Sequence, residues 1–186
     1  MKLFRLAFTL GTAGLLAASL GSCLKAPDYS TTPEIAFDNI TNLRLAPKVS
    51  GGVVQDSMRL TIRYQDGDGD LGLNSDERKA LQGTSFYNNY FIEPYVKQIN
   101  DKRYVSAASL GRTAVGAYNS AYPHVTTLTD NKAAPIKGTL TLALIPFILG
   151  QTFLPGEKVK FSIQIADRAK HLSNVIMTDS VVIGPR

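Results

Sequence analysis

From Glu34 onward, apolar and polar residues alternate with a period of two. Met58, Leu60, Ile62 and Tyr64 are separated by Arg59, Thr61 and Arg63. Leu140, Leu142 and Leu144 are separated by Thr141 and Ala143, and Val159, Phe161, Ile163 and Ile165 by Lys160, Ser162 and Gln164. This pattern gives a strand one buried and one wetted face, as in antiparallel sheets. Weaker runs near Ile35–Ile40, Tyr90–Val96, Arg103–Ser106 and Val175–Ile183 predict further strands. Leu154-Pro155-Gly156-Glu157 predicts the turn that precedes Val159. No stretch holds a 3.6-residue period over three turns. One short helix is expected, with Ser75 as N-cap, Asp76 and Glu77 in its first turn and Gly83 as its stop. About seven short strands predict an all-β fold, an antiparallel immunoglobulin-like β-sandwich, with a small closed barrel as the alternative.

The apolar run Leu140–Leu154 is not a membrane span. Its first half alternates, and Pro146, Gly150, Gln151 and Thr152 interrupt the rest. The start of the chain follows a different pattern. Lys2 and Arg5 precede an uncharged stretch, Leu6–Leu20, rich in Leu, Ala and Gly. It is too short to cross a bilayer comfortably, which takes about 20 residues, and it matches the apolar core of an export signal. It ends in Leu20-Gly21-Ser22-Cys23, which resembles the lipobox of bacterial lipoproteins. The resemblance implies cleavage before Cys23, a diacylglycerol on its thiol and a fatty acyl chain such as palmitate on the new amino terminus. The expected organisation is a signal peptide over 1–22, an acylated Cys and extended tether over 23–33, and a β-sandwich domain over 34–186. The tether carries Pro27 and Pro33 and reaches at most about 30–35 Å.

Composition narrows the function. The 186 residues carry 20 Lys and Arg against 15 Asp and Glu, one Cys and no Trp. Charged residues are only 19% of the chain, too few for a polyelectrolyte or a chain disordered by composition. Loss of residues 1–22 removes Lys2 and Arg5, leaving 18 basic against 15 acidic residues and a net charge of +3. The basic residues are scattered, so no nucleic-acid partner is expected. The single Cys excludes an internal disulfide and a Cys-rich zinc site, and as a lipid attachment point it is unavailable for catalysis.

The chemistry-bearing motif is Asp66-Gly67-Asp68-Gly69-Asp70-Leu71-Gly72, at the end of the Met58–Tyr64 strand. Carboxylates at i, i+2 and i+4 repel one another, and a hard cation reverses that sign. Calcium takes six to eight oxygens at about 2.3–2.6 Å, and the glycines let the backbone fold tightly enough to converge them. Asp66, Asp68 and Asp70 are the expected side-chain ligands, with a backbone carbonyl near Gly72. Asn74, Asp76, Glu77 or Asp167 are candidates to complete the shell. The spacing resembles an EF-hand loop at its first, third, fifth and twelfth positions, the last being Glu77. It departs where that family needs Gly and this chain has Leu71, and a strand rather than a helix precedes it, so an EF-hand fold is not expected.

A second motif, Asp167-Arg168-Ala169-Lys170-His171-Leu172-Ser173-Asn174, follows the Val159–Ile165 strand. It is similar to the Asp-turn-Ser-Asn segment between the last two strands of bacterial immunoglobulin-like domains. Lys170 stands where those domains often have Gly, and His171 where they often have Asn. Lipobox, Asp-Gly repeat and this turn together resemble a family of small lipoproteins of Bacteroidetes-type bacteria. The resemblance implies a lipid-anchored outer-membrane protein and carries no activity with it.

Catalytic signals are weak. His124 and His171 have no metal-ligand spacing, and no Gly-x-Ser-x-Gly elbow is present. The long irregular stretch from Ala107 to Pro135 carries Tyr118, Tyr122 and His124, a candidate recognition loop. The expected protein is a monomeric, non-enzymatic binding or structural module of the bacterial envelope, stabilised by calcium and partnered by an envelope protein. An accessory lipoprotein for glycan capture is the alternative, and a hydrolase the third.

Overall fold

The computed structural model describes residues 27–45, 55–99, 102–125, 133–148 and 152–184. The expected signal sequence and Cys23 lie outside the described residues. The fold is all-β, with two antiparallel sheets. The first has the order β1-β2-β5, built from β1 (Glu34–Leu45), β2 (Gln55–Asp66) and β5 (Ile136–Ile148). The second has the order β4-β3-β6-β7, from β3 (Tyr90–Lys97), β4 (Tyr104–Ser106), β6 (Lys158–Ile165) and β7 (Ile176–Met177). A further short strand, β8 (Val181–Val182), also pairs with β6.

Alternation places the core where it was expected. Met58, Leu60 and Ile62 of β2 face Val159, Phe161, Ile163 and Ile165 of β6 and Ile92 and Val96 of β3 within one continuous cluster. All three β2 residues and all four β6 residues are fully buried. The outer face of the first sheet is polar, and Thr61 and Thr141 on neighbouring strands share a hydrogen bond of 2.9 Å there.

Two elements differ from the sequence expectation. The Val175–Ile183 strand is divided at Thr178, whose N–H still donates to the Phe161 carbonyl at 2.9 Å while its side chain, not its carbonyl, meets the Phe161 N–H. Its Oγ1 accepts from the Phe161 N–H at 3.0 Å and its hydroxyl donates to the Asp179 carbonyl at 2.7 Å. The short helix α1 (Ser75–Ala80) begins one residue earlier than expected, with Asn74 rather than Ser75 as its N-cap. Asn74 Oδ1 accepts from the Asp76 and Glu77 N–H groups, and Glu77 Oε2 accepts from the Asn74 N–H, a complete capping box.

Side chains, not ladders, join the two sheets along one seam. Asn174, just before β7, pairs its amide with both backbone groups of Ile35 in β1. Oδ1 accepts from the Ile35 N–H at 2.8 Å and Nδ2 donates to the Ile35 carbonyl at 2.9 Å. Further along the seam, Asn42 Nδ2 donates to the Val182 carbonyl at 3.0 Å. Replacing the Asn174 amide strands two backbone groups at a part-buried joint. Asn174→Ala is expected to lower unfolding free energy by about 1–3 kcal/mol, read as a lower urea midpoint at unchanged slope. Asn174→Asp keeps an acceptor but loses the donor, and should rescue only part of the loss.

Candidate metal centre

The site grows out of the two core strands. Inward positions on β2 run Met58, Leu60, Ile62, Tyr64, so the next inward position is Asp66. On β6 they run Val159, Phe161, Ile163, Ile165, and the next is Asp167. Strand alternation therefore carries one carboxylate from each sheet to the same end of the core. Asp66 is fully buried and Asp167 is 3% exposed. An antiparallel bridge between Leu71 and Asp167 binds the two loops together, and the Arg168 N–H donates to the Asp70 carbonyl at 3.2 Å.

Asp66, Asp70 and Asp167 each offer an oxygen within 4.8 Å of the others. Two oxygens on opposite sides of a calcium ion stand at most about 5 Å apart, twice the usual Ca–O distance. Asp66 Oδ2 accepts from the Asp70 N–H at 3.1 Å, and Asp70 Oδ2 from the Ala169 N–H at 3.1 Å. Both Asp167 oxygens are engaged by His171, Oδ1 by its N–H at 2.7 Å and Oδ2 by Nδ1 at 2.8 Å. The remaining oxygens of Asp66 and Asp70, their Oδ1 atoms, are buried without a hydrogen-bond partner, and so is Asp68 Oδ1. A buried carboxylate oxygen with nothing to accept from is costly, and a cation held where Asp66, Asp70 and Asp167 converge would supply a partner there.

Electrostatics agree with the geometry. Burial, then the charges of Asp68 and Asp70, push the Asp66 carboxyl up to about 7, against a smaller opposing pull from the Gly69 N–H. The Asp70 carboxyl is raised too, by burial and then by Asp167 and Asp68. Contact with Asp167 raises the His171 imidazole in turn.

The other expected ligands are placed elsewhere. Asp68 is half-buried beside the triad but is not one of its converging groups. Gly72 has a φ of +96°, and a Cβ there would meet the Pro123 carbonyl oxygen at 2.1 Å, so only glycine fits beneath that strap. Glu77 does not join the triad. Its carboxylate is occupied by the capping box, by His124 Nε2 at 2.6 Å and by Arg168 Nε at 4.0 Å. Asp76 and Asn74 belong to the same helix cap.

Within the candidate recognition loop, Tyr122 requires correction. Tyr122 is a core residue, 6% exposed, its hydroxyl donating to the Ala166 carbonyl at 3.2 Å and its ring edge-on to Tyr90. Asn89 fixes it by a two-way amide pairing, accepting from the Tyr122 N–H at 2.9 Å and donating to its carbonyl at 3.3 Å. Tyr118 is half-buried against the same cluster, and His124 is paired with Glu77. These residues strap the acidic loop: the Leu73 N–H donates to the Tyr122 carbonyl and the Val125 N–H to the Leu71 carbonyl. For Tyr122 the difference lies in long-range contacts that a loop sequence does not display.

The raised carboxyls have a testable consequence for the metal-free protein. A carboxyl whose folded value lies above its unfolded value binds more protons in the native state between the two, so stability falls as pH rises through that window. His171 acts in the same direction: its raised folded value makes its contribution full below its unfolded value and lost above the folded one. In excess chelator, melting temperature should fall as pH increases from about 4 to about 7, the interval between the ordinary carboxylate range and the Asp66 value. Asp66→Asn should flatten that dependence. A profile that rises across the interval would contradict the burial of these acids.

Comparison with protein-family models, with curated proteins and with solved structures finds no match.

Proposed function

We propose that this chain is a lipid-anchored module of the bacterial envelope, non-enzymatic, whose sandwich is held at one end by a calcium ion. The observation that supports the ion is the convergence of Asp66, Asp70 and Asp167 within 4.8 Å, with buried Oδ1 atoms on Asp66 and Asp70 lacking any partner. Hard oxygen donors alone, with neither His nitrogen nor Cys among them, favour calcium or magnesium over a transition metal. The spacing favours the larger ion, since magnesium holds its ligands at about 2.0–2.1 Å and gives up water reluctantly. A structural role is favoured over a catalytic one because strands, straps and the His171 pairing enclose these acids. The anchor rests on the lipobox ending in Cys23, and the family resemblance supports the envelope address.

Extracellular calcium modules bind at about 10⁻⁴–10⁻³ M. At about 10 mM calcium this adds about 1.4–2.7 kcal/mol to stability, or about 3–10 °C of melting temperature for a domain of this size. The gain should be larger at pH 7.5 than at pH 5, because protons compete for Asp66. Magnesium should give a smaller shift, and Asp70→Asn should abolish the calcium shift. Melting that is unchanged between chelator and calcium would exclude the ion.

The anchor is tested separately by metabolic labelling with palmitate in a bacterial host. The wild-type chain should incorporate label and float with membranes, and Cys23→Ala should do neither. Label retained in Cys23→Ala would overturn the anchor.

A further inference from the structure

The described part of the segment expected to be an extended tether is docked. The Gly67 N–H, in the middle of the acidic loop, donates to the Ser30 carbonyl at 2.8 Å. The two backbones are so close that a Cβ on Gly67 would stand 2.3 Å from the Tyr29 carbonyl oxygen and 2.9 Å from the Ser30 carbonyl. Only glycine permits that approach. Thr32 turns the segment by donating its N–H to Ser30 Oγ at 3.0 Å, and Pro33 is buried as the chain enters β1. The chain leading from the anchor is thus fastened to the loop that carries Asp66, Asp68 and Asp70.

Docking shortens the leash. Tyr29 is six residues on from Cys23, a span of at most about 20 Å. The register of the sheets defines which residues share that end. Glu34 of β1, Asp66 of β2, Ile136 of β5 and Ile165 of β6 stand together there. The opposite end holds Lys97, Lys158 and the Leu154–Gly156 turn, separated by the eight residues of β6, about 26 Å. We infer that the acidic-loop end of the sandwich faces the anchoring membrane, with the Asp167–Asn174 turn against the lipid headgroups and the Leu154 end directed away. The inference rests on acylation of Cys23, proposed above.

The absence of Trp makes a single introduced indole a clean probe. Leu172 bridges to Ala166 just beyond β6 and is 45% exposed, while Leu154 at the other end is 54% exposed. The full chain carrying Leu172→Trp or Leu154→Trp is expressed in a bacterial host and purified from its membranes. It is then reconstituted into phosphatidylethanolamine–phosphatidylglycerol vesicles bearing dansyl headgroups. Energy transfer should be several-fold stronger for Leu172→Trp than for Leu154→Trp. A Gly/Ser insertion between Ala26 and Pro27 that doubles the leash leaves the docked segment intact and should collapse the difference. Gly67→Ala, which drives Tyr29 off the loop, should do the same. Equal transfer from the two positions, stronger transfer from Leu154→Trp, or a difference that survives the insertion overturns the orientation. The mass of the amino terminus reads the anchor independently: an unacylated Cys23 overturns the anchor and the orientation with it, whereas an acylated protein showing equal transfer overturns the orientation alone.

Discussion

Burial of like charge at one end of the core is the constraint around which this molecule is organised. Asp66 and Asp167 continue the inward rows of β2 and β6, so the hydrophobic packing that fixes those strands also draws their carboxylates out of water. Asp70 enters because its loop folds back onto the Arg168-Ala169 backbone. Desolvation and mutual repulsion both oppose ionisation, which is why Asp66 is pushed up to about 7. The fold relieves part of this through backbone N–H groups and through His171. It leaves one oxygen of each loop acid unsatisfied. A proton shared between acids, an ordered water or a cation each answers that deficit, and of these the cation alone also offsets the mutual repulsion once the acids are ionised.

The surroundings of the loop show how firmly its shape is imposed. Four separate stretches reach it through backbone hydrogen bonds: the tether at Gly67, Ala134 at Asp68, Arg168 at Asp70, and the Tyr122–Val125 strap at Leu71 and Leu73. The strap is itself held by Asn89, and the seam beside it by Asn174, each side chain satisfying both backbone groups of one residue. An amide can do this because it carries one acceptor and a donor group in the geometry of a peptide. Aspartate or leucine at either position would leave a peptide group unpaired. The end of the sandwich is therefore closed by side-chain mimics of strand pairing where no strand continues.

Much of this was legible in the sequence, for a physical reason. A period of two is a direct record of which face is buried, so β2, β3, β5 and β6 could be read from their alternation, and extending β2 by one inward step points at Asp66. Asp167 was accessible by the same extension. What the sequence does not display is pairing at long range. Glu77 sits at an EF-hand-like spacing, yet its carboxylate belongs to a helix cap and to His124. Tyr122 looks like an exposed loop aromatic and is a core residue, because Asn89 and Ala166 lie far from it along the chain. Lys170 falls between the two cases. It stands where similar turns often carry Gly, and its φ of +72° shows that the turn imposes a left-handed conformation on a residue that does not prefer it.

Gly67 links the acidic loop to the segment that leads into β1. Its neighbours Asp66 and Asp68 carry unsatisfied carboxylate oxygens, and its own amide holds the tether. Any ion that draws Asp66 and Asp70 together stiffens the turn between them, and with it the surface onto which Tyr29 and Ser30 dock. In the reverse direction, a docked tether restricts the same turn in the absence of the ion. Differential binding of this kind couples the two events reciprocally, since whatever the ion adds to tether docking the tether must add to ion affinity. The contact between the two segments is backbone on backbone: a Cβ at position 67 would stand 2.3 Å from the Tyr29 carbonyl oxygen, so glycine alone permits it.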